Sequence, residues 1–212
     1  MQNILILGTN PYAEVLVDAF EGAGPWKFVG FLENMDRDRC ARRPLDLPVY
    51  WSDDANHLAG THKLVSSLHT TLRKSWIDER VLQGFAFQTL IHPAATVSSR
   101  TKLSAGVVVE AGCVVAGFGT IGAYTRVGRG ATVGHHTEIG NYSTINPGVT
   151  LSGNCRIGSQ VTIGTGAVII DGLSIGDGAF VAAGSLVTKD IPPKALSAGS
   201  PSRVVRKGYG PR

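Results

Sequence analysis

The chain has 212 residues, 43% hydrophobic and 17% charged, which excludes disorder for its bulk and suits one elaborated domain or two small ones. The net charge of +4 is mild, and basic residues are not interleaved with aromatics, so no nucleic-acid partner is expected. No apolar run approaches the roughly 18 residues of a membrane span.

The first residues, MQNILILGTN, carry neither the basic stretch nor the small-residue cleavage site of a secretory signal, so a cytoplasmic protein is expected. Ile4 to Leu7 reads as a buried strand ending at Gly8, and Pro11 to Ala23 as a helix with proline in its first turn. Phe28 to Leu32, Pro48 to Tyr50 and His62 to Leu68 read as three further strands. Thr70 to Gly84 reads as a second helix, with Leu72, Trp76, Val81 and Leu82 on its apolar side. Phe87 to Ile91 then leads into His92-Pro93. Alternating strands and helices predict a small parallel α/β domain, whose glycine-ended first strand is where such sheets bind phosphate-bearing ligands. Arg37, Arg39, Arg42 and Arg43, and the tail residues Arg203, Arg206, Lys207 and Arg212, fit either solvated loops or attraction of a phosphate-rich ligand.

From residue 97 the pattern changes. Val97, Leu103, Val109 and every sixth residue thereafter to Val187 is a branched aliphatic, with no insertion. A mostly small residue, such as Ala95, Thr101, Cys113 or Thr125, stands two places before each, and glycine often follows. A period of six fits neither a helix nor a hairpin sheet, and marks a parallel β-helix. Each hexad is a short strand plus a bend. Three hexads close a triangular coil, so residues 18 apart stack at about 4.8 Å. Sixteen hexads give about five coils, which stabilise one another as a quasi-one-dimensional array.

The joined pattern resembles one family. The α/β start, the link Leu90-Ile91-His92-Pro93-Ala94 and the unbroken hexads are similar to the NeuD/PglD-type bacterial sugar acetyltransferases. So are Gly30-Phe31-Leu32-Glu33, the Arg73-Lys74 pair, Val187-Thr188-Lys189-Asp190-Ile191-Pro192 and the ending Ala198-Gly199-Ser200-Pro201-Ser202-Arg203-Val204-Val205. The resemblance covers almost the whole chain. It implies a Rossmann-like substrate-binding domain over 1–91 and a left-handed β-helix over 92–212 that binds acetyl-CoA. It also implies a homotrimer with active sites between chains, and no metal.

In the same resemblance Gly134-His135-His136-Thr137-Glu138-Ile139-Gly140 matches the segment that carries the family's catalytic histidine, at His135. His135 lies off both inward phases and should face out of the coil. Acyl transfer from a thioester needs a base for the nucleophile's proton, which imidazole supplies near neutral pH. Eighteen residues on lies Gly153, matching the glycine that gives its N–H to the thioester. Thr144, Ile163 and Ala183 are the other cofactor-binding positions implied. Asn10, Pro11, Tyr12, Glu33 and Asn34 are implied to bind a sugar or nucleotide-sugar acceptor.

The chain also departs from the family. His136 replaces the acid that usually follows the base and is the second catalytic candidate, as an orienting partner, a second base or a spectator, and Thr144 replaces a histidine found near the thioester. Gly8-Thr9-Asn10-Pro11-Tyr12-Ala13 replaces a glycine-rich turn, and proline removes a donor there. Glu33-Asn34 keeps half of an acidic pair, and Ser67-Leu68-His69-Thr70 replaces Ile-Gly-Asn-Asn. Cys113 and Cys155 fall on different walls, too far apart for a disulfide, which with the lone Cys40 fits a reducing compartment. The expected function is acetyl transfer to the amino group of a nucleotide-linked amino sugar. Two alternatives are O-acetylation of a sialic-acid-type sugar and a non-catalytic sugar-binding or assembly protein. A zinc enzyme of the γ-carbonic anhydrase kind would need three converging histidines, and the coils hold only His135 and His136.

Overall fold

The computed structural model describes residues 1–70 and 73–210. Contacts divide the chain into two compact units, one of Met1–His69 and Arg73–Thr89 and one running from Leu90 onward.

The first unit contains β1 (Gln2–Leu7), α1 (Pro11–Phe20), β2 (Trp26–Glu33), β3 (Val49–Trp51), β4 (His62–Ser66), α2 (Arg73–Leu82) and β5 (Ala86–Phe87). Its sheet has the order β3-β2-β1-β4-β5 and is parallel throughout. Ile4 to Leu7 of the central strand are fully buried, an apolar run typical of a strand covered on both faces. Asn10 caps α1, its side chain accepting from the Tyr12 N–H at 3.0 Å, with Pro11 next. The helix stops at Phe20 rather than Ala23, because Glu21 is already extended and Gly22 takes a φ of 72°.

The apolar side expected for α2 is corrected. Leu72 lies outside the described residues, and Val81 and Leu82 are exposed. The buried residues are Arg73, Trp76, Ile77 and Arg80. Ile77 and Trp76 keep an apolar contribution, but the polar side of the buried face meets oxygen atoms of the segment after β3. The fully buried Arg80 donates to the Ser52 carbonyl at 2.8 Å and to Asn56 at 3.1 Å, and pairs with Asp53 and Glu79. The Trp76 indole N–H donates to Ser52 at 3.2 Å.

The second unit is the stack of coils. Two-residue strands end at every expected aliphatic from Val97 to Val187, and one more, Leu90–Ile91, precedes them. Pairing is parallel with an offset of 18: Val115 meets Val133, Ile121 meets Ile139 and Val127 meets Ile145. Three walls result. The first holds the strands ending at Val97, Val115, Val133, Leu151, Ile169 and Val187, and the second those ending at Leu103, Ile121, Ile139, Ile157 and Ile175. The third runs from Leu90–Ile91 through Val181 and ends in an antiparallel hairpin, Ala195–Gly199 with Ser202–Lys207. The final coil is shorter: Ile191 bridges Ile175, 16 residues before it. Arg212 of the tail lies outside the described residues.

The aliphatic beats form one buried core with the small residues between them. Polar residues survive in that small phase because the corners accept their hydroxyls. Thr125 donates to the Gly140 carbonyl at 2.7 Å and Ser143 to that of Gly158 at 2.8 Å. Cys113 and Cys155 are free and buried, and burial pushes both thiols up.

Candidate active site

The corner between the first and second walls carries the histidines. His135 and His136 follow the strand ending at Val133, while Gly153 and Asn154 follow the one ending at Leu151 and so lie directly beneath. The ladder confirms the stacking: Asn154 N–H donates to the His135 carbonyl at 2.8 Å, and His136 N–H to that of Gly117 at 3.1 Å. Both histidines are exposed.

The glycine at 153 leaves room for the His135 ring to lie close. A Cβ there would stand 2.6 Å from His135 Cε1 and 2.8 Å from Nε2. The Nε2 edge of His135 therefore hangs over the bare backbone of Gly153. Its other nitrogen faces the neighbour, with Nδ1 of His135 and Nδ1 of His136 at 3.1 Å. For Nε2 to take a proton, Nδ1 of His135 carries hydrogen and donates it to His136, which acts as the acceptor. The Gly153 N–H is skipped by the inter-coil ladder, which uses Ser152 and Asn154 on either side.

His136 is held by a column that sequence reading passed over. It sits at a left-handed φ of 56°, as do Phe118 above it (67°) and Asn154 below it (56°). The Phe118 ring stacks on His136 with centroids 5.1 Å apart, and the Arg100 guanidinium lies over Phe118 at 5.2 Å. Asp171, one coil beneath Gly153, was also missed. Its Oδ1 would be 2.9 Å from a Cβ on Gly153 and accepts from Asn154 Nδ2 at 3.2 Å. Adding 18 once more to 153 would have reached it.

The other expected cofactor contacts do not join this corner. Ile163 is an inward beat with no exposed surface, so its side chain is corrected out of any binding wall. Thr144 lies on the third wall, between Arg126 and Thr162, and is only 2% exposed, so it presents no open hydroxyl either. Ala183 is exposed at a different corner, between the third and first walls. The second wall, which continues from the histidine corner, bears a groove of about 760 Å³ lined by Thr120, Glu138, Arg156, Ser174 and Asp190.

In the first unit the five expected acceptor residues gather at the C-terminal ends of β1 and β2, but the side chains of Asn10 and Glu33 are already engaged. Asn10 donates to Ser67 Oγ at 3.0 Å while capping α1. Glu33 is buried, accepts from the Asn34 and Met35 amides at 3.0 and 2.7 Å, and bonds Thr9. Burial alone would raise its pKa. The hydrogen bonds from Thr9, Met35 and Asp36, with the Arg39 charge, outweigh burial and hold the carboxyl below the usual range. The crevice lined by Asn10, Glu33 and Asn34 measures only about 70 Å³. Beside it a pocket of about 290 Å³ is lined by Thr9, Glu14, Arg39, Arg42 and Arg43.

Among the described residues no group of three or more His, Cys, Asp or Glu is placed to hold a metal ion. None of the described helices is long and apolar enough to cross a membrane.

The family profile of the bacterial transferase hexapeptide (six repeats) matches residues 118–153 and 154–189. Among solved structures, the chain is similar to the acetyltransferase domain of PglB from Neisseria gonorrhoeae FA1090, with a TM-score of 0.88 and 26% identity over 97% of this chain and 100% of that one. The same domain solved with acetyl coenzyme A matches at 0.87, with 26% identity over 96% and 99% of the two chains. A histidine-to-asparagine variant of perosamine N-acetyltransferase from Caulobacter crescentus, in complex with CoA and GDP-perosamine, matches at 0.87, with 27% identity over 97% and 98%. WeeI from Acinetobacter baumannii AYE shares the fold at 0.88, with 21% identity over 97% and 100%. No curated protein matches the chain by sequence.

Proposed function

We infer the function from one premise: the chain belongs to the hexapeptide-repeat acyltransferases of the NeuD/PglD type, with a Rossmann-like α/β unit followed by a left-handed parallel β-helix. On that premise it transfers acetyl from acetyl-CoA to the amino group of a nucleotide-linked amino sugar. The observation that carries this reading is the Nε2 edge of His135 poised over Gly153, with Nδ1 tied to His136.

The chemistry follows from that pairing. The acceptor amine attacks the thioester carbonyl while Nε2 of His135 takes its proton. The Gly153 N–H faces the oxyanion that develops. The C–S bond then breaks, and the imidazolium returns the proton to the departing sulfur. His136 fixes the tautomer that leaves Nε2 free. One corner offers a single wall to the pantetheine, and Ala183 lies at another corner of the same chain. A homotrimer closes the groove with a neighbouring chain's wall. In the first unit, Arg42 and Arg43 are suited to the acceptor's phosphates, since the helix-start amides are already engaged.

The test is thiol release from acetyl-CoA across a panel of nucleotide-linked amino sugars and free sialic acids, with mass spectrometry of the products. Release with an amino sugar and an N-acetyl product is the expected result. Release only with sialic acids moves the acceptor to a hydroxyl, and no release with any acceptor overturns the reading.

A further inference from the structure

The turn that bears His135 has no carboxylate. An imidazole that takes a proton in the course of a reaction gains from a nearby anion, because the anion favours the charged ring. His136 can orient His135 but adds no negative charge. Around the pair, Arg100 lies behind Phe118 in the coils above, Glu138 opens the next strand on the second wall, and Asp171 is below, next to Gly153.

Asp171 is placed for this role. A Cβ on Gly153 would lie 2.8 Å from His135 Nε2 and 2.9 Å from Asp171 Oδ1, so the nitrogen and the oxygen are less than 6 Å apart. Its orientation is fixed from the side: Asn154 Nδ2 donates to Oδ1 at 3.2 Å and to Oδ2 at 3.4 Å. Asn154 in turn donates its backbone N–H to the His135 carbonyl. The same hexad position elsewhere does something different. Asn141 and Asp177 accept the backbone N–H groups of Ala123 and Ser159, each 18 residues upstream, at 2.8 and 2.7 Å. Those are corner staples. The corresponding amide for Asp171 is that of Gly153, yet its carboxylate turns to the Asn154 side chain instead of stapling that amide.

We propose that Asp171 is the positioning residue that stabilises the His135 imidazolium, supplying from two coils below the carboxylate that the histidine turn lacks; the proposal rests on the acyltransferase reading above. The proton remains on the ring and passes to the departing sulfur, and Asp171 stays a carboxylate throughout.

The experiment compares the parent with Asp171→Asn and with the double variant Asp171→Asn/His136→Glu. Asparagine keeps an oxygen for Asn154, so the fold is retained. In Asp171→Asn, kcat falls between about threefold and about a hundredfold, the range one unit charge under 6 Å spans between water-like and surface-like screening. The KM for acetyl-CoA is unchanged, and the acid limb of the kcat/KM profile moves to lower pH. The His135 ring resonance, followed by NMR against pH, titrates at lower pH in the same variant. Adding His136→Glu returns a carboxylate to the base and restores kcat. An unmoved ring titration overturns the proposal, as does a variant that changes only KM. A parent that releases no thiol removes the acyltransferase reading, while the ring titration still decides whether Asp171 acts on His135.

Discussion

Replacing Gly153 with alanine tests the site at the point where its geometry is tightest. The new methyl would stand 2.6 and 2.8 Å from two atoms of the His135 ring and 2.9 Å from Asp171. Real side-chain carbons do not approach so closely, so the ring has to retreat by about 1 Å to reach ordinary contact, and a displacement of that size costs about a hundredfold in rate. Stability should not follow. Gly153 is not among the glycines with positive φ, and alanine at a compatible position stabilises by about 0.4–1 kcal/mol through the unfolded chain. The N–H also survives the change. Thiol release should therefore fall about a hundredfold in kcat while the thermal midpoint stays level or rises. Calorimetry with acetyl-CoA separates a displaced base from an obstructed cofactor. A kcat within threefold of the parent would refute the reasoning, and so would a loss of acetyl-CoA affinity that accounts for the whole effect.

Three other outcomes are expected. His135→Ala lowers turnover by about 10²–10⁴-fold with acetyl-CoA affinity retained, whereas His136→Ala costs less and His136→Glu holds or raises the rate; pH profiles of kcat/KM check all three. Ile145→Asp places an unpaired carboxylate in the dry interior of the coils and costs several kcal/mol, seen as a large drop in the thermal midpoint. Glu33 is held below its unfolded value of 4.5, so its contribution to stability is full above that value and lost as pH falls through the lower, folded one. Urea unfolding of the parent and Glu33→Gln should differ at pH 7, and the difference should shrink in acid.

The coils were legible because one constraint repeats: every inward beat must be aliphatic, and the register of 18 follows from three hexads to a turn. The same arithmetic placed Gly153 under His135 and, taken one step further, reaches Asp171. The first unit was legible only in outline. Its strands follow from apolar runs, but the face of α2 does not, because Arg80 is buried among oxygens supplied by Ser52, Asp53 and Asn56, about a quarter of a hundred residues earlier in the chain. No local period carries that information. The engagement of Asn10 and Glu33 was hidden for a similar reason: what decides whether they are available is the partner each one finds, Ser67 or Thr9, and not its own identity.

The short final coil bears on how the molecule stays finite. A stack of parallel coils ends in strands whose free N–H and C=O groups can template another layer, from a second copy as readily as from the same chain. Here the repeat does not simply stop. Below Ile175 the chain gives Ile191 as a single bridge and then Pro192 and Pro193, which have no N–H to offer. On the third wall the last strand, Ser202–Lys207, runs antiparallel and carries Arg203, Arg206 and Lys207 along the outer edge. A copy docking with the same end on this wall would meet a reversed strand and like charges in place of a matching rung.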